Sequence, residues 1–211
     1  MTLLEDLRRS VVEGRAADVE RFIQEGLAQS VPVGALLSDG LIAAMSEVGC
    51  EFDRGEFYVP EMLVSARAMK AGLARLRPLL VDARVRQAGT VAVGTVQGDL
   101  HDIGKNLVAM MLEGAGFAVT DLGADVPVEG FVEAVRNGAD IIGISALLTT
   151  TMTQIPRIID ALRVAGLRDR AKVIIGGAPL TEAFAERVGA DGYAPDASRA
   201  MRLARELVGV A

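Results

Sequence analysis

Residues 90–106 read TVAVGTVQGDLHDIGKN. A run rich in β-branched side chains, Thr90–Val96, leads into a polar loop punctuated by glycine, and then into helix-forming sequence. That is the opening of a strand–loop–helix unit. The pattern recurs downstream. Short apolar runs stand at Phe117–Asp121, Asp140–Ser145, Lys172–Ile175 and Asp191–Ala194, with helical stretches expected at 104–115, 128–137, 152–165, 181–189 and 196–208. Strands alternating with helices of about ten residues imply βαβ units and a parallel sheet. Five strands suit the doubly wound, flavodoxin-like order 2-1-3-4-5.

The residues before this region have a different period. Thr2 followed by Glu5 is a capping-box pattern, and Leu3, Leu4, Leu7 and Val11 share one face. A second helix is expected from Ala16 to Gln29. Ser30 and Pro32 signal a third start, followed by apolar Val33, Leu36, Leu37, Leu41, Ala44, Met45 and Val48. Gly49–Val59 reads as a break, and Pro60 opens a fourth helix whose Met62, Leu63, Ala66, Met69, Leu73 and Leu76 face inward, with Pro78 near its end. Four helices with short connections suggest a small bundle. The fold expected is therefore α + α/β: an N-terminal four-helix bundle over residues 1–80, a linker at 81–89, and a five-stranded, doubly wound parallel sheet over 90–211.

Composition excludes much. The chain has 211 residues, 51% of them hydrophobic, ample for a buried core. One Cys rules out an intrachain disulfide framework and a CxxC site. One His and one Cys cannot supply a typical four-ligand zinc site. A net charge of −6 with 4% aromatic residues gives no footprint for a nucleic-acid partner. The start, MTLLEDLRRS, lacks a basic segment followed by an apolar one, so no signal peptide is expected. No uninterrupted apolar run reaches the ~18 residues of a membrane span. A soluble, cytoplasmic protein without membrane or nucleic-acid partners is the expectation.

In a doubly wound sheet, ligands bind beyond the carboxyl ends of the strands, where strand order reverses. Three unusual loops fall there: Gly98–Asn106 after strand one, Ser145–Thr151 after strand three, and Gly176-Gly177-Ala178-Pro179 after strand four. Taken singly, each is ordinary turn chemistry; their coincidence points to a site. A phosphate-binding P-loop needs four residues between its glycines and a hydroxyl residue after the lysine. Here five lie between Gly98 and Gly104, Asn106 follows Lys105, and Asp99 and Asp102 would repel phosphate. A phospho-acceptor domain would want Asp where Ser145 ends strand three. Asp99, His101 and Thr151 have the residue types of a hydrolase triad, but no G-x-S-x-G elbow is present. A metal already held by a macrocycle needs only an axial ligand, and one imidazole suffices, with Asp99 setting its tautomer.

Asp99-x-His101-x-x-Gly104 resembles the D-x-H-x-x-G signature of cobalamin-binding domains. With SALLTTTM and GGAP, and with VGCEFDRGEFYVPEMLVSARAMK in the helical half, the chain is similar over nearly its whole length to corrinoid proteins of methyltransferase systems. These include carriers for methanol, methylamines and methoxyarenes, and the cobalamin module of methionine synthase. The resemblance implies a cobalamin or related corrinoid, alternating between methylcob(III)alamin and cob(I)alamin, bound base-off/His-on. His101 would be the axial metal ligand to cobalt, Asp99 its hydrogen-bond partner, and Thr151 the end of a proton relay. Ser145, Thr149, Gly104, Gly176, Gly177 and Ala197 match positions lining the slot for the displaced nucleotide tail. Gly98, Leu100, Asp102 and Leu147 join them as cofactor-binding residues of the same loops.

The bundle would be a cap, with Phe52 and Val59 over the upper cobalt face. Met62 reads as core, Tyr58 is ambiguous, and Cys50 reads as an ordinary thiol in the same loop. The implied function is a methyl carrier, not catalytic alone. Its partners would be a substrate-specific methyltransferase, an acceptor methyltransferase acting on a thiol or a folate, and a reductive activator of cobalt. The alternative is a cobalamin-binding sensor or regulatory module. The small subunit of an adenosylcobalamin isomerase is disfavoured because residues 1–80 have no counterpart there.

Overall fold

The computed structural model describes residues 2–82 and 87–209. It divides into two compact units, residues 1–87 with Glu113–Gly116, and residues 88–112 with 117–211.

The first unit is helical. Helix α1 (Leu3–Val12) starts on the expected capping box: Thr2 Oγ1 accepts the Glu5 N–H at 3.3 Å, and Glu5 Oε2 accepts the Thr2 N–H at 2.7 Å. Helix α2 spans Ala16–Ala28. Helix α3 runs unbroken over Val33–Asp53, with a π-helical stretch at Leu36–Ile42. The break expected over Gly49–Val59 is confined to 54–58, because Gly49 is buried in the helix and carries no side chain that packing must accommodate. Phe52 and Cys50 therefore lie on the last turns of α3 and not in a loop. By length and composition α3 is apolar enough to cross a membrane, as core helices often are. Its Leu36, Leu41, Ala44, Met45 and Val48 are fully buried.

Helix α4 (Val59–Asp82) begins one residue before Pro60, and Glu61 caps it by accepting the Tyr58 N–H at 3.0 Å. It carries Pro78 inside rather than at its end, so residues 81 and 82 of the expected linker are helical. Residues 83–86 of that linker lie outside the described residues.

The second unit is the parallel sheet. Its strands are β1 (Thr90–Val96), β2 (Ala118–Val126), β3 (Ile141–Ser145), β4 (Lys172–Gly176) and β5 (Gly192–Tyr193). Their order is β2-β1-β3-β4-β5, all neighbours parallel. Helices α5 (Ile103–Gly114), α6 (Val128–Arg136), α7 (Gln154–Val164), α8 (Glu182–Val188) and α9 (Ala197–Leu207) connect or follow the strands. Near-continuous apolar runs suit strands covered on both faces. Phe131, Ile142, Ile155, Ile159, Val173 and Ile175 form one buried cluster, each side chain contributing about 1.5–3 kcal/mol.

The one large departure is β2, which extends past the expected end at Asp121 to Val126. Asp121, Gly123 and Asp125 are poor strand formers, so their composition hides the strand. Pairing with β1 overrides it, through two register shifts: Val93 faces Asp121, Gly94 faces Gly123 and Val96 faces Val126.

Candidate functional site

Sheet register brings the three loops to one edge. Thr95 of β1 lies beside Ser145 of β3, and Ser145 beside Gly176 of β4. The loops following these residues therefore leave the sheet at one level.

Asp99 is the centre of the arrangement and is fully buried. Its Oδ1 accepts the His101 N–H at 3.1 Å and faces His101 Nδ1 at 2.7 Å. Its Oδ2 accepts the N–H groups of Leu147 at 2.8 Å and Leu148 at 3.3 Å, and the Thr151 hydroxyl at 2.8 Å. Burial alone would favour the neutral acid. The Leu147 N–H, the His101 ring and N–H, and the Thr151 hydroxyl outweigh it and hold the carboxyl well below the usual carboxylate range.

An ionised carboxylate only accepts, so His101 Nδ1 must carry a proton. In the neutral imidazole that leaves the Nε2 lone pair free to ligate. The ring is 53% exposed. Its loop is fixed further by Thr95 Oγ1, which donates to the His101 carbonyl at 2.9 Å.

Around this dyad four large apolar side chains are exposed. Leu100 and Ile103 are 77% and 80% exposed, and Leu147 and Leu148 are also open to solvent. Gly98, Asp102, Gly104 and Thr149 are exposed, whereas Ser145, Gly176 and Gly177 are half-buried and Ala197 is buried at the start of α9. A Cβ on Gly104 would meet nothing within 4 Å. The glycine pair after β4 has a different reason to be glycine. A Cβ on Gly177, whose φ is +135°, would sit 2.0 Å from the Ala146 carbonyl oxygen, and one on Gly176 would sit 2.8 Å from that of Ala194. Gly177→Ala is therefore expected to destabilise the unit by about 1–3 kcal/mol or more, read from its chemical-denaturation midpoint.

Lys105, the lysine of the rejected P-loop pattern, is buried and donates to Asn106 Oδ1 at 2.7 Å and to Asp121. Among the described residues no three His, Cys, Asp or Glu side chains are grouped to hold a metal ion. A metal here needs a group that brings its own donors, and the free Nε2, the apolar rim and the open space at Gly104 fit such a group.

Phe52 and Val59 belong to the helical unit. They flank the turn between α3 and α4; Phe52 is half-buried, and Val59 and Tyr58 are 41% and 66% exposed. Val59 is thus not core, while Met62 is fully buried and is. Cys50 is exposed.

Asp121 and Asp125 were not singled out from the sequence. The signal was present in TDLGAD, where acidic residues and a glycine interrupt a strand next to the His101 loop.

Comparison with known proteins agrees with this geometry. Two B12 binding domain families match, one over residues 89–202 and one over residues 3–77. The dimethylamine corrinoid protein of Methanosarcina barkeri is 41% identical over 98% of this chain and 97% of its own length. A cobalamin-binding protein from Desulfitobacterium hafniense superposes with TM-score 0.81 at 31% identity, covering 97% of this chain and 98% of that one. The methanol:cobalamin methyltransferase complex of Methanosarcina barkeri contains a chain with TM-score 0.87 at 29% identity, covering 98% of this chain and 80% of that one. With its signature loops in place and relatives matching nearly end to end, the chain belongs to the B12-binding family of corrinoid proteins.

Proposed function

We propose that the protein is a corrinoid methyl carrier, with His101 as the lower axial ligand and the nucleotide tail of the cofactor displaced. The observation that carries this reading is the Asp99 carboxylate, which accepts from donors on every side and so leaves His101 Nε2 as a ready ligand. When bound, the corrinoid supplies the methyl-transfer chemistry through its cobalt. The chain holds and orients it. Asp99 fixes the imidazole tautomer and ring plane and raises its basicity.

Thr151 Oγ1, 2.8 Å from Asp99 Oδ2, extends the hydrogen-bonded path from His101 through Asp99. This path would be the place for the chain to hold a proton beside the bound cofactor, at His101 Nε2 or shared along it. Leu100, Ile103, Leu147 and Leu148 offer the apolar surface a macrocycle needs beside the ligand. Ser145, Thr149, Gly104, Gly176, Gly177 and Ala197 are assigned to the nucleotide tail. The open space at Gly104 leaves it room. Phe52 and Val59 are assigned to shielding the upper cobalt face. The partners are a substrate-specific methyltransferase, an acceptor methyltransferase acting on a thiol or a folate, and a reductive activator, all in the cytoplasm. The end-to-end match to a dimethylamine corrinoid protein supports a carrier over a sensor.

The test is direct. Apo protein mixed with hydroxocobalamin should bind it with a shift of the visible spectrum. No binding removes the proposal. A sensor would prefer adenosylcobalamin to methylcobalamin, whereas a carrier would not.

A further inference from the structure

The two register shifts in β2 have a consequence for His101. Bulges next to functional loops re-aim side chains. Here they place two acidic residues of β2 at opposite ends of the segment 98–105. At one end Asp125 makes a reciprocal pair of bonds: its Oδ1 accepts the Gly98 N–H at 2.7 Å, and its own N–H donates to the Asp99 carbonyl at 3.0 Å. At the other end Asp121 Oδ1 accepts from the buried Lys105 ammonium, and from the Gly123 N–H at 2.8 Å.

Asp125 makes its pair with φ at +54°, a left-handed conformation that few residues other than glycine adopt. Asp and Asn tolerate it. Gly98, φ +84°, is the residue immediately before the carboxylate that sets the histidine tautomer. The backbone on which Asp99 and His101 stand is thus held from the β2 side by Asp125, and from the β3 side by Asp99's own bonds to Leu147 and Thr151.

We propose that Asp125 is a positioning residue for His101, fixing through Gly98 and Asp99 the loop that presents the imidazole. This rests on the reading of His101 as axial ligand. Asp125 acts through backbone, on the Gly98 N–H and the Asp99 carbonyl.

Its test uses protein labelled with ¹⁵N-histidine and loaded with cob(II)alamin. The chain has one histidine, so ¹⁵N splitting in the paramagnetic resonance spectrum counts only molecules ligated by His101. Asp125→Ala is expected to lower the fraction of bound cofactor showing that splitting, and to weaken hydroxocobalamin binding about tenfold, as loss of outer-sphere support to a metal ligand does. Asp125→Asn keeps an acceptor and tolerates the same φ, and should stay within about twofold of wild type. Asp125→Gly permits the backbone angle without the acceptor; it should behave as Asp125→Ala, and replaces it if that variant does not fold. The splitting reads only bound cofactor, so a merely structural loss would not change it. Splitting and affinity like wild type in Asp125→Ala or Asp125→Gly overturn the inference, as does Asp125→Asn impaired as much as they are. No ¹⁵N splitting in wild type overturns the reading of His101 beneath it.

Discussion

His101→Ala is expected to abolish axial ligation from the protein while leaving the apo fold intact. Outer-sphere partners of metal ligands contribute about 10–100-fold to affinity, and losing the ligand itself should cost no less than the upper end of that range. The bound corrinoid should then show the visible spectrum of a cofactor without protein-derived axial nitrogen. The apo protein should hardly notice. The imidazole is 53% exposed, and Asp99 retains the N–H groups of His101, Leu147 and Leu148 and the Thr151 hydroxyl. Exposed substitutions of this kind change stability by about 0.5 kcal/mol or less. Titration with hydroxocobalamin, together with urea unfolding of the apo protein, separates the two effects. An affinity and spectrum like wild type would remove His101 from its role.

Asp99→Ala is expected to damage both properties. It leaves the N–H groups of Leu147 and Leu148 without their buried acceptor, while the Thr151 hydroxyl can still donate to the Leu148 carbonyl at 3.0 Å. Each unpaired buried donor costs about 1–3 kcal/mol, so the apo protein should lose on the order of 3 kcal/mol after partial rehydration. Cofactor affinity should fall about 10–100-fold, because nothing then holds the imidazole tautomer.

Asp99→Asn is the more discriminating change. Every group facing Asp99 is a donor, so the amide must turn its NH₂ towards one side or the other. Facing His101, it would draw the lone pair to Nδ1 and put the proton on Nε2, which blocks ligation. Facing Leu147, it sets donor against donor. The sign of the pH effect follows from the same contacts. Asp99 has its folded pKa depressed below the unfolded value of about 3.9, so its ionised form stabilises the apo fold above that pH. That contribution declines as pH falls towards the folded value. Asp99→Asn should therefore flatten the acid limb of apo stability measured by urea unfolding between about pH 5 and 2.

How much of this was legible in the sequence depended on how local each feature is. Strand β1 and the D-x-H-x-x-G spacing that carries the family resemblance lie within one short stretch, so both are legible locally. The sheet order follows from fitting five strands that alternate with helices to the doubly wound pattern, and that order then gives the loops their meaning. Strand β2 reads short because a window sees Asp121, Gly123 and Asp125 as loop residues, while the ladder to β1 is non-local. Helix α3 reads as ending early at Gly49, but glycine's cost in a helix is about 1 kcal/mol and burial overrides it. The acceptors and donors that complete the site were harder still. Leu147 and Leu148 act through backbone N–H groups, which leave no mark on residue type. Asp125 acts on Gly98 across an intervening helix and strand, and only after two bulges aim it. That the backbone of Ala194 and Ala146 excludes any side chain at Gly176 and Gly177 is a second reason for glycine there, and it is legible only in the structure.

A single labelled nucleus reaches the central claim, that His101 ligates the cobalt. Because the chain contains one histidine, ¹⁵N-histidine labelling marks that side chain alone. In the cob(II)alamin-loaded protein the axial nitrogen splits the paramagnetic resonance lines, into triplets for ¹⁴N and doublets for ¹⁵N. Labelled wild type is expected to give doublets where unlabelled protein gives triplets. Triplets unchanged by labelling would mean that the cofactor keeps its own nitrogen base, and would contradict axial ligation by His101.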